Sequence, residues 1–185
     1  MSVTSMSAAE PYATSKELVD ENIYPLNQLN DLLLLMPCTL YQQLFETQSV
    51  GKHVRHVLEH YQTLLAGLKD SVQKNTIDYE QRDRQAALEE EPSVAAQAVD
   101  KLRTELQALS HQPTDTPVML NYPIEPPGNS LTLPSSLGRE LAFLTSHTVH
   151  HMALIRLLCE SMSMPLSSDF GVHPSTRRFW LKNIR

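Results

Sequence analysis

Residues 140–158 read ELAFLTSHTVHHMALIRLL, and this stretch decides the fold. Side chains three or four residues apart form one stripe on it: Glu140, Leu144, His147, His151, Leu154 and Leu158. This spacing is the period of an amphipathic α-helix. Because leucines flank the two histidines, the stripe is predicted to face inward. The sequence therefore predicts a helix over about 136–162 that carries two imidazoles, one turn apart, on its core side.

Three further segments have helical periodicity. The first helix is predicted to begin after a cap at Ser15, and Pro25 is expected to kink it or to delay its start. A second helix is predicted over about 49–69. A third is predicted over about 93–109, directly after Pro92, since proline is tolerated at the start of a helix.

Four long amphipathic segments without an internal repeat or a splitting linker predict one domain, 1–185. We expect an all-α four-helix bundle with one long crossover. Residues 1–14 are expected to be a flexible lead-in. Two short alternating runs, 118–122 and 130–133, could pair as a small hairpin before the last helix. The end of the chain, 166–185, is predicted to be an irregular tail.

The composition excludes several functional classes. The formal net charge is −6 and the basic residues are scattered, which argues against a nucleic-acid surface. The longest apolar run, 32–36, is far too short to cross a bilayer. No signal peptide is recognisable, so a cytoplasmic location is expected. Cys38 and Cys159 are expected to be reduced thiols, and Cys159 is predicted to pack rather than to act as a nucleophile.

The predicted second helix carries a second face of histidines. His53, His56 and His60 are three and four residues apart and fall within a sector of roughly 60°. Helical bundles commonly build metal sites between two such faces. His56 with His147 and His151 would supply three neutral imidazoles and leave a position open, as catalytic zinc sites do. His53 or His60 could replace or join His56, and ordinary hydrogen-bonded core histidines are the alternative to a metal site.

Residues 49–61, SVGKHVRHVLEHY, resemble the second-helix motif of the DinB/YfiT-like proteins. Residues 146–155, SHTVHHMALI, resemble the fourth-helix motif of the same family, in which two histidines lie four residues apart. The resemblance spans roughly residues 15–180. It implies an antiparallel four-helix bundle with an up-down-down-up course, often assembled as a homodimer.

The resemblance also implies a site and a range of functions. Carried over by motif, the metal ligands are His56, His147 and His151, and the ion is zinc or nickel. Met152 and Ala153 stand where many members carry Arg-Gly, so no role of that arginine transfers. The implied function is a metal-dependent transferase or hydrolase acting with a low-molecular-weight thiol, with its catalytic residues unknown. The alternatives are a non-catalytic stress-response or dimerisation scaffold that binds metal, and a bundle that has lost its metal.

Charged residues near these motifs have two interpretations each. Glu59 and Glu140 could orient an imidazole, or they could be ordinary ion-paired carboxylates. Three arginines could bind an anionic cosubstrate through their forked donors. They are Arg82, Arg84 and Arg139. For them, salt bridges with Asp78, Glu80 or Glu140 are the preferred expectation.

Overall fold

The computed structural model describes residues 14–69 and 76–183, which contain four long helices, three short ones and a small sheet. The helices are α1 (Lys16–Leu35), α2 (Cys38–Tyr41), α3 (Val50–Lys69), α4 (Ala86–Glu90), α5 (Pro92–Gln107), α6 (Leu137–Ser161) and α7 (Pro174–Asn183). The strands are β1 (Thr76–Ile77), β2 (Pro117–Ile124) and β3 (Asn129–Ser136). The four predicted long helices are thus confirmed as α1, α3, α5 and α6, while the predicted lead-in lies almost wholly outside the described residues.

The four long helices pack in a ring, in which α1 and α3 each contact both α5 and α6. Ser15, just before α1, donates a backbone hydrogen bond to the turn that follows α5. An ion pair between Lys69 and Glu105 joins the ends of α3 and α5. Asn22 near the start of α1 donates to the carbonyl of Leu141 near the start of α6. These contacts give α1 and α6 one direction and α3 and α5 the other. Across 14–69 and 76–183, no helix has the length and hydropathy needed to cross a bilayer.

Pro25 does not delay the start of α1, so the expectation of a late start is wrong. The helix runs from Lys16 through the buried Pro25 to Leu35. A proline inside a helix costs about 3 kcal/mol. Leu26 and Leu29 are completely buried on the same helix, and burying a leucine stabilises the fold by about 1.5–3 kcal/mol. Core burial therefore offsets the missing hydrogen bond.

The buried face of α6 differs from the predicted stripe. Glu140 and Leu144 of the predicted stripe are completely buried, as expected. The other buried residues of α6 are Leu137, Gly138, Leu141, Thr145, Thr148, Met152, Ile155 and Cys159. Leu154 and Leu158 of the predicted stripe are only half-buried, and so are His147 and His151. Because α6 packs against both α1 and α3, its buried arc is wide and is centred beside the histidines. The two imidazoles therefore lie at the edge of the core, on the side of α3.

A three-stranded sheet in the order β1-β2-β3 adds to the bundle, so an all-α description is incomplete. The predicted hairpin is confirmed: β2 and β3 are antiparallel, with Leu120 opposite Leu133. β1 pairs in parallel with β2. It contains only two residues, too few to show a periodic pattern in the sequence. β1 lies in the connection between α3 and α5, and β3 leads directly into α6, so the sheet joins this connection to the start of α6.

The predicted irregular tail contains α7, which is a correction. Arg177 places its guanidinium 3.4 Å from the centre of the Tyr24 ring. Arg178 forms an ion pair with Glu21. Both partners belong to α1, so α7 is held by charge and cation–π contacts. Only Pro174 is buried on this helix, which explains why apolar periodicity did not predict it.

Candidate metal centre

Helices α3 and α6 bring five histidines together between them. We call His53, His56, His60, His147 and His151 the histidine cluster. The ring centres of His56 and His151 are 4.4 Å apart, and those of His60 and His147 are 4.1 Å apart. His147 and His151 are 4.6 Å apart on their own helix. The two histidine faces inferred from the sequence therefore meet.

Three members of the cluster form a group with metal-ligand geometry. His56, His147 and His151 each offer one ring nitrogen, and these nitrogens all lie within 4.8 Å of one another. In a tetrahedral zinc site, Zn–N bonds near 2.0–2.1 Å place nitrogens about 3.4 Å apart. Small side-chain adjustments would bring the three nitrogens to that spacing. The Nε2 atom of His147 is buried without a hydrogen-bond partner in the described structure, which fits a nitrogen used as a ligand.

His53 and His60 contact the group through hydrogen bonds. The Nδ1 atoms of His53 and His151 lie 3.0 Å apart, so one carries the proton and the other accepts it. Nδ1 of His60 lies 2.7 Å from the carbonyl oxygen of His56 and must donate to it. In neutral His60 the lone pair is then on Nε2. Among the described residues, the ligand atoms that converge within 4.8 Å belong to His56, His147 and His151, and neither His53 nor His60 is part of this group.

Burial keeps the cluster neutral. Desolvation is the largest cause that lowers the pKa of His56 and His151 to about 3. It lowers the pKa of His60 and His147 to about 4. The pKa of His53 is lowered for the same reason. Neighbouring imidazoles add to the pKa shifts of His53, His56, His147 and His151, and the charge of Arg82 adds to that of His60. Neutral imidazole is the form that binds metal, so near pH 7 the whole cluster is in the ligating form.

Arg82 reaches the cluster from the connection between α3 and α5. Its Nη1 atom lies 2.5 Å from Nδ1 of His56. A guanidinium has no acceptor, so Arg82 donates and Nδ1 of His56 accepts. The expected salt bridges of Arg82 are not formed, since no carboxylate among residues 14–69 and 76–183 lies within 4.0 Å of it. Arg84 is exposed.

Glu140 serves a different purpose from orienting an imidazole. Its carboxylate is completely buried and accepts hydrogen bonds from Tyr79 at 2.9 Å and from Ser135 at 2.5 Å. Arg139 pairs with it at 2.8 Å, as the salt-bridge expectation had it. The Tyr79 ring in turn stacks on His60, with 5.3 Å between ring centres. Glu140 therefore acts on the cluster through Tyr79.

Two further carboxylates fix the backbone around Arg82. Glu59 accepts from the backbone nitrogen of Gln85 at 2.8 Å. Asp78 accepts hydrogen bonds from the side chain of Asn121 at 2.7 Å and from the backbone nitrogens of Glu80 and Gln81. Arg82 thus extends from a segment that is anchored on both sides. The interpretation of Glu59 as an acceptor for an imidazole is not supported, because its hydrogen bond goes to this segment.

The sequence interpretation missed two aromatic neighbours of the cluster. The Phe143 ring stacks on His147 with 5.5 Å between centres, and Tyr79 contacts Phe143 at 5.3 Å. Phe143 is four residues before His147 on α6, so helical spacing could have identified it. Tyr79 lies in an irregular segment, where no periodicity places it.

Cys159 and a neighbouring cavity lie outside the cluster. Cys159 is completely buried, and burial raises its thiol pKa to about 11, in keeping with a packing role. A cavity of about 750 Å³ lies between α3, α5 and the segment after β1. Glu59 and Arg82 belong to its wall, whereas no member of the histidine cluster does. Arg82 therefore connects this cavity with the cluster.

The fold and the cluster define a helical bundle with a histidine site between its second and fourth long helices. The family model described as the DinB superfamily matches residues 30–155, and the chain belongs to this superfamily. A curated relative, FK506-binding protein 5 of Rhizopus delemar, is 31% identical over 101 residues, which are 54% of this chain and 26% of the relative. The chain thus spans about a quarter of that relative's length. No solved structure matches the chain.

Proposed function

We propose that this protein binds one divalent metal ion, zinc or nickel, through His56, His147 and His151. The observation that carries the proposal is the convergence of three ring nitrogens within 4.8 Å of one another. The unpartnered, buried Nε2 of His147 supports it. Three protein ligands leave at least one position open, as in catalytic rather than structural zinc sites.

We further propose that the site acts as a metal-dependent transferase or hydrolase that uses a low-molecular-weight thiol. A bound ion would lower the pKa of a thiol or water at its open position and so supply a nucleophile near pH 7. The chain's own residues hold the imidazoles neutral and exclude water from one side of the site. Membership of the DinB superfamily supports this proposal. We also propose that the protein assembles as a homodimer.

Metal content tests the first part of the proposal. Elemental analysis after expression in metal-replete medium should find near-stoichiometric ion in the wild type. His147→Ala should bind the ion at least about 100-fold more weakly, since changes to outer-shell partners alone cost about 10- to 100-fold. His111→Ala, which changes an exposed histidine outside the cluster, is the matched control and should keep its metal. A wild type without bound metal would refute the proposal.

Thiol conjugation tests the second part. The metal-loaded protein is incubated with common small thiols and a chlorodinitroarene, and the conjugate is followed by absorbance. Conjugation that disappears on chelation and in His147→Ala supports the transferase function. A protein that retains metal but accelerates no conjugation would instead favour a non-catalytic metal-binding scaffold.

A further inference from the structure

Arg82 differs from the other arginines that have a buried, unpaired Nε atom. Arg55, Arg82 and Arg103 each have such a nitrogen. Arg55 pairs with Glu89, and Arg103 pairs with Asp100. Arg82 is half-buried, yet none of the residues in the described part of the chain gives it a carboxylate. Its guanidinium therefore has a free donor and an uncompensated charge.

The hydrogen bond from Arg82 to His56 is incompatible with metal binding by His56. While Nδ1 of His56 accepts from the guanidinium, the proton of the neutral ring must be on Nε2. Neither nitrogen then has a lone pair for an ion. If His56 is a ligand, Arg82 has to leave it, whichever nitrogen binds. The fixed backbone on both sides of Arg82 limits this movement to the side chain.

A guanidinium released beside a divalent ion needs a negative partner. Two like charges at close range repel, and an anion between them converts the repulsion into two favourable contacts. The forked donors of arginine match the two oxygens of a carboxylate. Arg82 also forms part of the wall of the neighbouring cavity of about 750 Å³, so such an anion would belong to a ligand that extends from the ion toward that cavity.

We propose that, when the ion binds, the guanidinium of Arg82 gives up its hydrogen bond to His56 and binds the carboxylate of a small ligand instead. Arg82 thereby selects ligands that carry an acidic group. For a thiol cosubstrate, sulfur would bind the ion held by His56, His147 and His151, and the carboxylate would bind Arg82. This inference rests on the proposed metal site and adds the substrate class to it: thiols that bear a carboxylate.

Matched thiols on the cobalt-loaded protein test the selection. The probes are 3-mercaptopropionate and 3-mercaptopropanol, which differ in the carboxylate, and binding is followed by the sulfur-to-cobalt absorption band. The wild type should bind the acid about tenfold or more tightly than the alcohol, as expected for one charge-assisted pair. Arg82→Leu should lose this preference. Arg84→Leu, which removes an exposed arginine two residues away, should retain it.

Cobalt affinity tests the exchange itself. In a buffer free of carboxylates and phosphate, Arg82→Leu should bind cobalt about tenfold more tightly than the wild type, because the competing hydrogen bond is gone. Arg82→Gln provides a second variant if Arg82→Leu does not fold. The role of Arg82 would be overturned if the wild type and Arg82→Leu bound cobalt with equal affinity. It would also be overturned if both proteins preferred 3-mercaptopropionate over 3-mercaptopropanol to the same extent. A wild type that binds no cobalt would instead refute the metal site, so the two failures are distinguishable.

Discussion

Acid should destabilise the metal-free protein, because its folded state keeps the histidine cluster neutral. Burial lowers the pKa of His56 and His151 to about 3, and that of His60 and His147 to about 4. In the unfolded chain these imidazoles titrate near 6.5. Below that pH the unfolded chain takes up protons that the folded chain does not. The stabilising contribution is therefore complete above pH 6.5 and is lost as the pH falls toward the folded-state pKa values.

The size of the effect follows from the shifts. One histidine held neutral lowers the free energy of unfolding by at most about 1.4 kcal/mol for each pH unit below 6.5. Water reaches one side of these rings, and screening reduces their pKa shifts to roughly half. Averaged over the range from pH 6.5 to pH 4, one histidine then contributes roughly 0.7 kcal/mol for each pH unit. Four such histidines then remove roughly 3 kcal/mol for each pH unit between 6 and 4. Between pH 6.5 and pH 4 this amounts to roughly 7 kcal/mol. A domain at the lower end of the usual range of about 5–15 kcal/mol should therefore unfold between about pH 5 and pH 4.

Urea unfolding of the chelator-treated protein, followed by circular dichroism from about pH 7.5 to about pH 4.5, measures this loss. His56→Gln should reduce the slope by about 0.7 kcal/mol per pH unit, because one of the four imidazoles is removed. His111→Gln removes an exposed histidine outside the cluster and should leave the slope as in the wild type. A free energy of unfolding that is constant between about pH 6.5 and pH 4.5 would refute the reasoning.

Three substitutions test the packing that supports the site by the same unfolding measurement. Tyr61→Phe removes a buried hydroxyl that contacts two side chains at 2.8 and 2.9 Å, and should cost about 2 kcal/mol; a cost below about 0.5 kcal/mol would contradict this role. On α6, Leu144→Ala should lower the free energy of unfolding by about 2–5 kcal/mol, because Leu144 is completely buried. Leu157→Ala should change it by less than about 0.5 kcal/mol, because Leu157 is 62% exposed. Gly51→Ala should destabilise strongly, because its Cβ would overlap the backbone oxygen of Glu89; wild-type stability would show that α4 can move away.

The sequence predicted the long helices and the hairpin because both have a repeating physical cause. Leucines at steps of three and four make a helix bury one face, and the alternating runs on either side of a proline-rich turn make a hairpin. α7 and β1 have no such cause. α7 is held by contacts of Arg177 and Arg178 with another helix, and β1 has two residues. Contacts between distant residues leave no periodic pattern.

The candidate site could be predicted only as far as helical spacing extends. The two histidine faces follow from spacing on α3 and α6, and their meeting follows from the packing of those two helices. The choice among His53, His56 and His60 depends on rotamers and on hydrogen bonds such as that from Nδ1 of His60. Tyr79 lies in an irregular segment, and only the fold brings it to the cluster.

The difference between the predicted and the observed stripe of α6 bears on function. Had His147 and His151 been central to the core, as predicted, all their ring nitrogens would have been buried. In the described structure Nε2 of His147 is buried without a partner, and such a group is costly unless a ligand such as an ion satisfies it. At the edge of the core, the backbone of α6 is fixed by Leu144 and Thr148, which are completely buried, while the imidazoles stay half-buried. A site that must bind an ion and still admit a small molecule needs both properties: ligands carried on a rigid helix and an open side. The edge position supplies both, and Arg82 lies beside it, hydrogen-bonded to His56.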